Sequence, residues 1–142
     1  MNSAVPVLYS GTRHVDERGV LSFNNPFQIS EFVRAYIIEN SRNAPMRGWH
    51  GHQFESKSFI CLSGRVRIGA VKVDDWVSPS AGLHVYRQEL TEGGMDSYFV
   101  PAGYANAILN LEINSRVLIF SSSSLDASLA DDFRFPAAAW VL

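Results

Sequence analysis

The sequence holds a single cysteine, Cys61, among its 142 residues. One thiol cannot close an internal disulfide, which excludes the stapled scaffolds of small secreted domains. Cys61 lies in the apolar run Phe59-Ile60-Cys61-Leu62, the setting of a buried strand residue and not of a reactive thiol. Charge is also scarce. Charged residues make up 18% of the chain and the formal net charge is −2, which offers neither nucleic acid nor an anionic membrane a basic surface. No apolar run approaches the ~20 residues of a membrane-spanning helix. The opening MNSAVPVLYSGTRHVDERG lacks the basic start and long apolar stretch of a secretion signal. Repeats are missing, and the only biased tract is Ser121 to Ser124. The expectation is a soluble, cytoplasmic protein with neither a nucleic-acid nor a membrane partner.

What the chain does have is apolar residues in short runs. Hydrophobic types reach 46%, enough for the core of one domain spanning 1–142. The runs AVPVLYS, GVLSF, VRAYIIEN, SKSFICLSG, RVRIGAVKV, LHVYRQEL, DSYFVPAG, ANAILNLEINS and RVLIFSSSS are bounded by Gly, Pro, Asn and Ser. That spacing predicts an all-β sandwich or barrel. LSGRVRI predicts a hairpin turning at Ser63-Gly64. One stretch has helical spacing, LDASLADDF, with Leu125 and Leu129 four apart and Ser124 as its cap.

The chemistry concentrates in MRGWHGHQFESKSF, residues 46–59. On an extended segment His50 and His52 point the same way, and Trp49, Gly51 and Gln53 the other. Turned into a barrel, both rings enter one cavity. A neutral imidazole accepts a proton near neutral pH, and Arg47 and Lys57 add fixed positive charge suited to phosphate or a developing enolate oxygen. The pair also fits an HxH metal pattern. A second segment, Pro101-Ala-Gly103-Tyr-Ala-Asn106, has matching spacing, but with Asn106 where a ligand His would stand. Two histidines fall short of the usual three protein ligands, so no metal is expected. Two core histidines satisfied by backbone are the plainest alternative. Arg65 and Arg67 share one strand face, and Trp49 and Trp76 are read as packing.

RGWHGHQ with ESK after it, PAGYANAI, the tail ADDFRFP and the upstream DERG resemble the nucleotide-sugar branch of the cupins. The relatives are the dTDP-4-dehydrorhamnose 3,5-epimerases and the dTDP-4-keto-6-deoxyglucose 3,4-ketoisomerases. The resemblance implies a cupin barrel (a double-stranded β-helix or jelly roll) with a short C-terminal helical segment. It implies a homodimer, with an N-terminal strand exchanged between subunits. It implies a cofactor-independent epimerase that abstracts a proton beside the ketone of a nucleotide-linked 4-keto-6-deoxyhexose in deoxysugar or polysaccharide precursor synthesis. The 3,4-ketoisomerase is the alternative, and a non-catalytic sugar-binding cupin a further one. Carried over by position, His50 matches the base, Lys57 the lysine near the keto oxygen, and Asp131 or Asp132 the carboxylate that orients the base, with Asp132 preferred. His52 and Tyr36 match the ketoisomerase pattern. Arg47 matches the phosphate-binding arginine, and Arg18, Tyr104, Asn106 and Arg67 are expected to bind substrate. Phe120 is expected where the epimerases carry a tyrosine proton donor, which leaves the donor open among His52, Tyr36, Tyr104 and water.

Overall fold

The computed structural model describes residues 3–142. The strands are β1 (Val7–Tyr9), β2 (Thr12–Asp16), β3 (Gly19–Phe23), β4 (Arg34–Glu39), β5 (Met46–His52), β6 (Lys57–Ser63), β7 (Arg65–Lys72), β8 (Val85–Thr91), β9 (Ser97–Val100), β10 (Tyr104–Asn110), β11 (Arg116–Ser121) and β12 (Phe133–Arg134). A 3₁₀ turn covers Ile29–Glu31, and a short helix, α1, covers Leu125–Leu129. Two five-stranded sheets face each other, in the orders β1-β9-β6-β11-β4 and β12-β5-β10-β7-β8, and β2-β3 form a separate two-stranded sheet. The fold is all-β, as the run spacing predicts, and its facing antiparallel sheets form the jelly roll that the resemblance implies. Among the described residues no helix is long and apolar enough to cross a membrane.

Alternation explains how each sheet is covered. The inward positions of β6, β7 and β11 are apolar, and Phe59, Cys61, Val66, Ile68, Val117 and Ile119 meet between the sheets. The outward positions of the second sheet are apolar too: Trp49, Val71, Ala105 and Ala107 lie under the C-terminal tail, with Trp140 set edge-on against Trp49 at 5.5 Å between ring centroids. A sheet buried on both faces needs apolar residues at nearly every position, and in the second sheet β7 is buried without a break from Ile68 to Val71.

The expected Ser63-Gly64 hairpin is absent. β6 pairs with β9 and β11, whereas β7 pairs with β10 and β8, so Gly64 links the two sheets. Strands alternating apolar inward on both sides of a one-residue connection bury more by facing across the core than by lying side by side. β2, in TRHVD, is not among the expected strands, because its residues are mostly exposed and carry no apolar run. The helix starts where expected, with the Ser124 hydroxyl accepting from the Ala127 amide at 3.2 Å.

Candidate active site

A cavity of about 120 Å³ lies between the sheets, lined by Tyr36, Ile38, Arg47, His50, Lys57, Phe59, Asn106, Ile108 and Ile119. Four strands supply its polar groups. β10 runs beside β5, setting Asn106 opposite His50 and Ile108 opposite Arg47. Strict alternation separates Arg47 from His50, since three residues apart on a strand means opposite faces. The structure resolves this with a bulge: β10 steps from Asn106/His50 to Ala107/Gly48 and leaves Trp49 unpaired. The bulge resets the phase, so both side chains enter one cavity. Gly48 makes it possible. Its φ is +138°, and a Cβ there would lie 2.5 Å from the Ala107 Cβ.

His50 is half-buried, and among the described residues none hydrogen-bonds to its ring. Its pKa is held below the ordinary 6.5, first by burial and then by the Arg134 charge, with Lys57 and His52 adding to the effect and Asp132 opposing it. The imidazole is therefore neutral at neutral pH and available as a base. Lys57 is buried at 8% exposure, and its Nζ lies 5.8 Å from the centre of the Tyr36 ring. No carboxylate among the described residues pairs with it. An unpaired cation beside a neutral base makes a site that attracts negative charge.

His52 is on the same inner face but outside that lining, and is 4% exposed. Its Nδ1–H donates to the Asp131 carbonyl at 2.7 Å and lies 3.1 Å from Glu55 Oε2. Its pKa is also lowered, chiefly by burial and then by Lys57, against the raising effects of Glu55 and Asp131. Of the buried side-chain polar atoms among the described residues, His52 Nε2 is the one with no hydrogen-bond partner.

The other expected site residues divide. Tyr36 and Asn106 line the cavity. Asp132 does not hydrogen-bond to His50; it accepts from Arg134 Nε at 3.1 Å and acts on His50 only through its charge. Asp131 is the buried one of the pair, and its carboxylate caps the turn after β5, accepting from the amides of Gln53, Phe54 and Glu55. Tyr104, register partner of His52, is in the core outside the cavity lining, its hydroxyl donating to the Ala4 carbonyl. Arg67 is on the outer face, paired with Glu89 at 2.8 Å. Arg18 is 81% exposed in the β2–β3 turn, held by Asp16 at 2.6 Å. Phe120 is not in the cavity: alternation along β11 turns Ile119 inward and Phe120 outward, where it packs with Phe27 and Phe32. No donor place is therefore blocked by Phe120. Arg134, register partner of His50 on β12, and Glu55, fully buried, lie within the ADDFRFP and ESK segments, but the sequence assigns neither a role. Among the described residues no three His, Cys, Asp or Glu side chains converge on a metal position.

The family profile described as "FdtA: WxcM-like, C-terminal" matches residues 8–134. The chain belongs to this family. No curated protein sequence matches it. Solved structures with the same fold include an RmlC epimerase from Mycobacterium tuberculosis, 20% identical, with TM-score 0.75 over 96% of this chain and 72% of that one. The sugar 3,4-ketoisomerase QdtA from Thermoanaerobacterium thermosaccharolyticum, in complex with TDP, is 20% identical, with TM-score 0.70 over 96% and 92%. ChmJ, a 3'-monoepimerase from Streptomyces bikiniensis in complex with dTDP-quinovose, is 16% identical, with TM-score 0.72 over 96% and 72%.

Proposed function

We propose that this protein is a cofactor-independent isomerase of the cytoplasm that moves protons beside the ketone of a nucleotide-linked, dTDP-type 4-keto-6-deoxyhexose, in deoxysugar or polysaccharide precursor synthesis. The observation that carries this is a cavity holding one neutral imidazole, His50, between an unpaired Lys57 and Arg47. A ketone acidifies the C–H bonds on either side of it. His50 takes such a proton; the carbon–hydrogen electron pair becomes the enolate, and the oxyanion is held by Lys57. Arg47, at the exposed end of the lining, is placed for a phosphate oxygen. Asn106, opposite His50, is placed for a sugar hydroxyl. The cavity, at about 120 Å³, is well below the roughly 300–1,000 Å³ of a site that encloses a whole ligand, so the reacting edge of the sugar enters and the nucleotide stays outside.

Return of the proton to the opposite face of the same carbon is epimerisation. A proton passed to C4, with the proton of the C3 hydroxyl replaced by one gained at the C4 oxygen, is ketoisomerisation. The second reading has specific support, because Tyr36 is the one phenol in the lining and a ketoisomerase is among the solved structures of this fold. Incubation with dTDP-4-keto-6-deoxyglucose in deuterated water tests both. Deuterium at C3 or C5 with C4 still a ketone supports epimerisation, and deuterium at C4 with a new C3 ketone supports ketoisomerisation. No uptake from any nucleotide sugar leaves a silent sugar binder.

The same reading includes a homodimer. The β2–β3 hairpin stands off the sandwich with Val15, Val20 and Leu21 each more than half exposed. A lone two-stranded ribbon is marginal in water, and a second copy would cover it. That arrangement gives Arg18, remote from its own cavity, a place at the neighbouring subunit's.

A further inference from the structure

We propose that Glu55 is a positioning residue for His52: together with the Asp131 carbonyl it fixes the ring as the Nδ1–H tautomer and supplies the negative charge that a proton arriving at Nε2 requires. The inference rests on the catalytic reading of the cavity for its purpose, and on geometry for its content.

Glu55 lies at the centre of a buried polar cluster drawn from five parts of the chain. Its side chain is 0% exposed. Oε1 accepts from Arg34 Nη2 at 3.3 Å and from the Ser121 hydroxyl. Oε2 accepts from the Ser128 hydroxyl at 2.8 Å and lies 3.1 Å from His52 Nδ1. Every neighbour is a donor, so the carboxylate is held in place from all sides, and a buried charge so surrounded keeps one orientation. The Asp131 carboxylate, through the Phe54 and Glu55 amides, fixes the backbone that carries it.

The consequence falls on His52. A carbonyl oxygen only accepts, so the 2.7 Å contact with Asp131 requires the proton on Nδ1. The neutral ring then carries a bare lone pair on Nε2, on the side facing away from Glu55 and Asp131, and that atom has no partner among the described residues. A buried acceptor left unsatisfied costs stability and calls for an explanation. Here the explanation is a proton or a hydroxyl that is present only when substrate is. When a hydroxyl donates fully, its O–H bond breaks, an N–H bond forms at Nε2, and the ring becomes an imidazolium. The charged groups around that ring are Lys57 on β6, which disfavours the new charge, and Glu55 and Asp131, which favour it; His50 on β5, itself neutral, adds none. Without Glu55, burial and Lys57 are opposed by Asp131 alone. The two histidines thus differ in kind: His50 is unheld and exposed to the cavity, and His52 is clamped and one-sided.

Nitrogen-15 NMR of the whole protein with labelled histidine tests this. At neutral pH the expected His52 signals are a protonated Nδ1 and an unprotonated Nε2. In Glu55→Gln, the midpoint at which His52 gains its second proton is expected to fall by about one pH unit or more, and Glu55→Asp is expected to restore part of it. A role in folding alone would not move that midpoint in a variant whose spectrum stays native. An Nε2–H tautomer in the wild-type protein, or an unchanged midpoint in a folded Glu55→Gln, would overturn the proposal. The tautomer needs no variant and no substrate. Nδ1–H together with absent deuterium uptake therefore keeps the positioning role and removes the isomerase reading.

Discussion

His50 and Lys57 line one small cavity from the two facing sheets, and the chemistry assigned to each predicts a different mutant. His50→Asn keeps the size and polarity of the side chain but cannot accept a proton from carbon. Deuterium uptake is expected to fall ~10²–10⁴-fold, with the thermal midpoint little changed. Lys57→Met removes a buried cation that lacks a carboxylate partner among the described residues. Replacing such a charge with an apolar chain of similar length is neutral or stabilising. Turnover is therefore expected to drop while the melting temperature holds or rises, and calorimetry beside the exchange assay reads both. The pKa of His50 is expected to rise in that variant, since Lys57 is one of the charges that lowers it. At this scale strand alternation pointed to His50, and the family resemblance with its segment spacing to Lys57, Tyr36 and Asn106, and all four line the cavity. The sequence could not reveal Glu55, whose partners Arg34, Ser121 and Ser128 lie 21, 66 and 73 residues away. It also favoured Asp132 over the buried Asp131. Two adjacent aspartates are indistinguishable until the chain's path decides which one turns inward.

Strands are the scale at which phase matters. The bulge at Gly48 and Trp49 brings Arg47 and His50 to one face, and Gly48 has a backbone angle that L side chains rarely adopt. Gly48→Ala combines that strain with a close approach to Ala107. The expected cost is about 2 kcal/mol or more, read by urea unfolding, with exchange activity lost in the folded fraction because His50 and Arg47 fall out of register. The apolar runs made most strands legible in the sequence. The β2 strand was not, since TRHVD is mostly exposed and carries no apolar run. The β6–β7 connection reads as a hairpin in the sequence because local turn chemistry says that the chain bends at Gly64, not which sheet it joins next. Phe120 illustrates the same limit, since one step along β11 decides between cavity and outer face.

For the whole molecule, the exposed hairpin predicts association. Leu21→Asp places a charge on its apolar face, where Leu21 is 61% exposed in the single chain. Sedimentation is expected to show a dimer for the wild-type protein and a shift toward monomer for the variant; a wild-type monomer would dispose of the homodimer. Acid is expected to weaken the fold. His50 and His52 both have folded-state pKa values below the ordinary 6.5. The unfolded chain therefore takes up more protons as pH falls through that value, and stability decreases from there downward. Denaturant titrations at a series of pH values should show this slope, and His52→Asn should flatten it.

All three tryptophans of the chain gather behind the strand that carries the histidines. Trp49 lies on β5 itself, Trp140 stands edge-on to it, and Trp76 is close enough to Gly51 that a Cβ there would touch its ring at 2.7 Å. Intrinsic fluorescence is thus a label-free gauge of β5, brightening or shifting when a ligand on the opposite face moves the strand. The same emission would report peeling of the C-terminal tail as a step separable from loss of the barrel.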